Sequence, residues 1–231
     1  MYREVNNDFF KYWSSEMAYV LGYFAADGAM IKNNRGAYFI EFHSTDRILI
    51  EIVRTAFKSN HHVGVRDRSK KNKNWKAVYR LQIGSKVMFA DLTRLGFIQN
   101  KSNTIKFPDI PMEFLADFVR GYFDGDGSVH FKKYWIKARN KKRWVFSSRF
   151  TSGCKKYLSD LHRSLKRYGI ENGFIIAKSN QSGYELVLSH RDSLALYRLM
   201  YNTAPDTGFY LPRKYKIFQK AIRTLYPNMR A

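Results

Sequence analysis

The 231-residue chain has one cysteine, Cys154, which excludes an internal disulfide framework and any multi-cysteine zinc site. No long apolar run is present: the longest, Met17 to Ala26, falls well short of the roughly 20 residues of a membrane-spanning helix. The N-terminal stretch carries Glu4 and Asp8 and lacks a basic segment followed by a long apolar one, so no secretory signal is expected. Acidic residues are scarce, 19 against 41 Lys and Arg, which leaves a net charge of +22. A surplus of that size repels itself unless a polyanion offsets it. Against these deficits stand 45% hydrophobic and 16% aromatic residues, enough for a packed core and too many for a disordered chain. The expectation is an intracellular, non-membrane protein with a polyanionic partner, nucleic acid first among them.

The chain also repeats itself. Val20-Leu21-Gly22-Tyr23-Phe24-Ala25-Ala26-Asp27-Gly28 returns as Val119-Arg120-Gly121-Tyr122-Phe123-Asp124-Gly125-Asp126-Gly127, displaced by 99 positions. Phe42-His43-Ser44 matches Phe150-Thr151-Ser152 at 108, and Tyr79 to Ile83 matches Tyr184 to Leu188 at 105. The nine extra residues fall in the basic hairpin around Lys132 to Arg143. Three ordered matches with small drifts indicate a duplicated unit.

Periodicity gives each unit the order α-β-β-α-β-β-α. Helices are expected at Glu16–Ala26 and Met112–Gly125, the second entered through Pro111. Strands are expected at Tyr38–His43, Lys76–Ile83 and Arg143–Thr151. Thr45 to Lys58 reads as an amphipathic helix capped by Thr45, with Ile48, Leu49, Ile52, Val53 and Ala56 inward. Cys154 to Tyr168 repeats it, short helices follow at Lys86–Leu95 and Arg191–Met200, and Arg213–Leu225 adds a C-terminal helix. The domain reading is a first unit over 1–99, a linker over 100–111 marked by Pro108 and Pro111, and a second unit over 112–231. The fold class is therefore α+β: two pseudo-symmetric units with antiparallel sheets.

Glycine or alanine recurs at i and i+4 in each repeated motif: Gly22 and Ala26, then Gly121 and Gly125. That spacing is one helix face, and without bulky side chains two helices can approach closely. The two motif helices are expected to pack on each other as the seam between halves. Both end in Asp-Gly, where glycine is a common stop and aspartate opposes the negative end of the helix dipole. Two carboxylates and two helix ends brought together need positive charge, and hard divalent cations with oxygen ligands supply it.

These paired motifs resemble those of the LAGLIDADG homing endonucleases in their single-chain, two-copy form. The resemblance implies that the two sheets form a saddle along a DNA major groove. It implies that Asp27 and Asp126 bind catalytic Mg²⁺ and that the carbonyls of Ala26 and Gly125 add ligands. Mn²⁺ is expected to substitute, and Ca²⁺ to support binding without cleavage. The implied activity is site-specific double-strand cleavage of a long, non-palindromic DNA target by a monomer. An intron-RNA maturase and a non-cleaving DNA-binding protein are the alternatives on the same fold. Ala25 departs from the family's usual first acidic residue, which Asp124 keeps. At the position where the family often holds a water-orienting polar group stand His43 in the first half and Thr151 or Ser152 in the second. His43 and Ser152 are the candidates taken, and a plain polar strand end is the other reading of His43.

The basic residues divide by place. Arg66 and Arg68 share one face of an extended stretch, and Lys76, Arg80 and Gln82 share the polar face of another strand. Arg and Gln suit guanine and adenine edges. With Lys32, Arg35, Lys132, Arg149 and Lys178 they form the candidate DNA-binding set. Lys70, Lys71 and Lys73, and the run from Lys137 to Arg143, lie in hairpin tips and suit phosphates.

Overall fold

A computed structural model describes residues 3–68, 72–180, 182–202 and 208–227. Among them no helix is long and apolar enough to cross a membrane. The chain divides by compactness into Met1–Gly125 and Asp126–Ala231.

The first unit runs α1 (Ser15–Asp27), β1 (Gly28–Lys32), β2 (Tyr38–Ser44), α2 (Arg47–Ala56), β3 (Gly64–Arg66), β4 (Val78–Gly84) and α3 (Lys86–Arg94). α4 (Leu115–Asp126) follows, entered through a short 3-10 turn at Met112–Phe114. From Asp126 on come β5 (Gly127–Ile136), β6 (Lys141–Ser152), α5 (Lys155–Lys166), β7 (Phe174–Ala177), β8 (Tyr184–Leu188), α6 (His190–Tyr201) and α7 (Pro212–Leu225). The sheets have the same antiparallel order, β1-β2-β4-β3 and β5-β6-β8-β7. The α-β-β-α-β-β-α repeat is thus present twice, and the extra residues of the second copy lengthen the β5–β6 hairpin to 10 and 12 residues.

The inward face of each sheet is covered by alternate side chains of its central strands. In the first sheet Ile40, Phe42, Leu81 and Ile83 face inward and are fully buried. Phe24, Phe42 and Phe57 interlock there, with ring centroids 5.4 and 5.8 Å apart at the two steps. In the second sheet Phe146, Phe150, Leu186 and Leu188 face inward, and Phe218 of α7 meets Phe146 at 6.0 Å. Each fully buried ring of this kind contributes about 1.5–3 kcal/mol.

The two motif helices pack as their small residues require. A Cβ on Gly22 would lie 2.0 Å from the carbonyl oxygen of Phe118, and one on Gly121 would lie 1.9 Å from that of Tyr19. The Tyr19 hydroxyl donates to Asp124 Oδ2 at 2.8 Å across the same seam. The motif's earlier acidic position is therefore a buried structural acceptor.

Gly28 is the C-cap of α1, with a φ of −86°, and it begins β1. Its requirement is space, since a Cβ there would sit 2.1 Å from the Phe24 ring. Asp46, not Thr45, occupies the N-cap of α2. The inward residues of that helix are Leu49, Ile50 and Val53, while Ile48 is exposed. At period 3.6 the stripe falls one position away from the reading that placed Ile48 inside. Segment 100–111 buries Lys101 and Ile105 and sets Phe107 edge-on to Phe118 at 5.6 Å.

Candidate functional site

Asp27 is the last residue of α1 and Asp126 the last of α4. A Cβ on Gly125 would come within 2.4 Å of the Ala26 Cβ and 3.1 Å of Asp27 Oδ2. Only glycine therefore lets the final turn of α4 close on the end of α1 with the Asp27 carboxylate between them. The Tyr23 hydroxyl donates to the His43 carbonyl at 2.9 Å. Burial, then the negative charge of Asp27, holds that phenol well above its ordinary pKa, so it remains a neutral donor.

Two lysines that carry no sequence signal stand at these helix ends. Lys101 is buried and donates from Nζ to the carbonyl of Ala25 at 3.1 Å. Lys214, on α7 and 3% exposed, donates to the carbonyl of Gly127 at 2.5 Å. An ammonium at a helix C-terminus offsets the dipole and the carboxylate beside it. The protein thus supplies positive charge of its own beside both motif ends.

Asp27, ending α1, and Asp126, ending α4, each offer a carboxylate with backbone carbonyls beside it as oxygen donors. No group of three or more His, Cys, Asp and Glu suited to a metal occurs among the described residues. So small a set excludes a closed structural zinc site. It fits Mg²⁺, which takes one or two protein carboxylates and completes its shell with water and substrate phosphate oxygens.

The sheet face opposite the core carries the polar candidates. Register places Glu41 against Gln82 and His43 against Arg80 on that face. All three partners converge on Glu41: Arg80 donates to Oε1 at 2.7 Å, Gln82 donates to the same oxygen, and His43 Nε2 meets Oε2 at 2.9 Å. Glu41 is only 6% exposed and had no place among the sequence candidates. In the second sheet Arg149 donates to Glu185 at 2.8 Å. Glu41 and Arg149 each precede the matched phenylalanine, and Arg80 and Glu185 each follow the matched tyrosine. The same cross-strand ion pair is therefore built twice, with its polarity reversed.

Ser152 sits on the other face. Its hydroxyl accepts from the Cys154 amide at 3.1 Å, as Ser44 accepts from Asp46 at 2.9 Å. Both hydroxyls shape the entry to the following helix, and Thr151 is the residue on the face of Arg149. The basic candidates also spread. Arg66 lies on β3 with its register partner Val78 on the open face. Arg68 lies just beyond it with its guanidinium 4.4 Å from the Trp75 ring centre. These residues, with His43 and Arg80, line a groove of about 580 Å³. Lys76 precedes β4, Arg35 lies in the β1–β2 turn, and Lys178 follows β7. Lys132 shares the open face of β5 with its partner Val145. Lys32 pairs with Tyr38 on the side of Met30 and Ile40, its ammonium 5.3 Å from the Tyr38 ring. Lys70 and Lys71 lie outside the described residues.

Two α-β-β-α-β-β-α repeats joined through glycine-faced helices that end in Asp-Gly define the fold of the LAGLIDADG homing endonucleases. The solved structure of I-WcaI bound to its DNA recognition sequence matches with a TM-score of 0.60 and 18% identity, over 91% of this chain and 90% of that one. I-SmaMI, bound to uncleaved DNA in the presence of calcium ions, matches at 0.57 and 12% identity, over 94% and 93%. The profile of the LAGLIDADG-like domain matches residues 14–95 and again 113–200. The chain belongs to the LAGLIDADG family, in its two-copy form. Among curated relatives, a DNA-directed RNA polymerase subunit of Methanocaldococcus jannaschii is 26% identical over 76% of this chain. A probable translation initiation factor IF-2 of Thermococcus kodakarensis is 32% identical over 54%. The chain spans 18% and 9% of the lengths of those two proteins.

Proposed function

We propose that this chain is a monomeric, intracellular, site-specific DNA endonuclease that makes a staggered double-strand break in a long, non-palindromic target. The observation that carries the reading is the doubled motif end: an aspartate closing each seam helix, with a buried lysine bonded to the Ala25 carbonyl near the first and to the Gly127 carbonyl after the second. A net charge of +22 suits duplex phosphate, and each half would cover about one turn, roughly 20 base pairs in all. The DNA complexes among the structural matches support the partner, and the calcium complex supports a divalent cation in the cycle.

Asp27 and Asp126 would hold Mg²⁺, which when bound polarises phosphoryl oxygens and lowers the pKa of water. The remaining work belongs to the chain. Lys101 and Lys214 place fixed positive charge where a pentacovalent phosphate gains negative charge, and burial strengthens their effect. His43 and Thr151, at matched strand ends, are the groups that orient water in the two halves. Tyr23, neutral and bonded to the His43 carbonyl, fixes the end of β2 against α1.

Asp27→Asn and Asp126→Asn are expected to abolish double-strand cleavage while salt-sensitive duplex binding in Ca²⁺ persists. Robust cutting of both strands by either variant removes the assignment. Lys101→Met keeps length and volume and is expected to slow cleavage by on the order of 100-fold, the effect of losing a donor at developing charge. Unchanged single-turnover rates would leave Lys101 a structural helix cap.

A further inference from the structure

The two open sheet faces differ in chemistry. Register sets Phe174 against Val187 and Ile176 against Glu185, so all four share the face of Arg149. Where the first sheet has Gly64 against Arg80, the second has Ile176 against Glu185. Where the first has Gln82 two residues beyond Arg80, the second has Val187 two beyond Glu185. Phe174 is 54% and Ile176 40% exposed, large apolar side chains open to solvent, while Val187 on the same face is buried at 8%. The charged pair on that face is self-satisfied, Arg149 to Glu185 at 2.8 Å, which leaves the apolar groups as its distinctive open feature.

We propose that Phe174 and Ile176 make the second sheet a reader of thymine through its 5-methyl group. This rests on the duplex-DNA reading above and assigns one chemical class of base contact to one half of the target. Among base edges in the major groove the thymine methyl is the apolar group, and apolar side chains are its complement. A second copy of the chain is the competing occupant, because β7 is an edge strand. Charge decides between them: +22 repels another copy and attracts a polyanion.

The test uses the full chain and a duplex selected from a randomised library by binding in Ca²⁺, with each thymine replaced in turn by uracil. Uracil keeps every hydrogen-bonding group and lacks only the methyl. The expected result is a block of thymines, confined to one half of the site, where the change weakens binding by roughly fourfold per buried methyl. In Phe174→Ala and Ile176→Ala that block becomes insensitive to the exchange. Both residues are exposed, and the uracil scan on the unaltered chain needs no variant at all. Equal binding of every thymine and uracil duplex overturns the proposal and leaves the endonuclease reading intact. Concentration-dependent dimers lost in Phe174→Ala also overturn it, in favour of self-association. Failure to bind any duplex with salt-sensitive affinity removes both readings together.

Discussion

Glu41 holds three groups that each have a use elsewhere. A carboxylate so nearly buried fixes the rotamers of Arg80, Gln82 and His43, and it takes one cation out of the pool that meets phosphate. Glu41→Gln keeps the shape and removes the charge. The salt dependence of duplex binding is then expected to steepen by about one unit of log K against log salt, because Arg80 gains a phosphate partner. Base discrimination in that half is expected to relax at the same time, as a selection on randomised duplexes would record. An unchanged slope would mean that Arg80 never leaves Glu41. Histidines set a second expectation. Burial and a nearby cation, Arg3 for His61 and Lys166 for His162, lower both pKa values below their ordinary range. In the unfolded chain these groups bind protons at higher pH than in the fold, so their stabilisation is full above about 6.5. It is lost as pH falls below that value through the lowered folded pKa. Thermal midpoints should decline from pH 7.5 to 5, and His61→Gln should flatten part of that decline. None of these residue-scale partnerships was legible from spacing. Lys101 meets a carbonyl 76 positions away and Lys214 one 87 positions away, and no local pattern encodes such a pair.

The motif helices show what spacing does encode. Gly22 and Gly121 lie on the faces that period 3.6 assigns them, and each meets backbone of the other helix closely enough to exclude any Cβ. Gly121→Ala must push two helices apart, and its cost should reach about 3 kcal/mol, the upper end of overpacking effects. Chemical denaturation would read this as a lower midpoint. The same helix carries Arg120, 1% exposed, paired with Asp117 and stacked 5.6 Å from the Tyr19 ring. Asp117→Ala leaves a guanidinium buried without that carboxylate and should cost about 3–5 kcal/mol. Strand alternation and helix order were readable because each follows from a period that one buried face imposes. Helix entries were less so. Ser44 and Ser152 both bond the amide two residues on, and that turn moves the cap one place past Thr45. The lysines at the helix ends were unreadable for a similar reason: folding, not sequence order, brings them there.

At the scale of the molecule, the duplication and the charge are the two features that carry the proposed function, and both are visible in the chain itself. Forty-one cations against 19 acids favour a polyanionic partner, and two family-domain repeats over 14–95 and 113–200 support the proposal that it is duplex DNA. Because the halves differ residue by residue on their open faces, Glu41 against Arg149 and Gln82 against Val187, no two-fold symmetric target is expected. The most direct measurement is cleavage of a randomised duplex library in Mg²⁺ and in Ca²⁺, with the cut ends sequenced. The account predicts one asymmetric site of roughly 20 base pairs, cut on both strands in Mg²⁺ and bound without cutting in Ca²⁺. Binding that stays salt-sensitive in both ions with no cut ends would contradict it, and would leave Asp27 and Asp126 as helix ends in a DNA-binding protein.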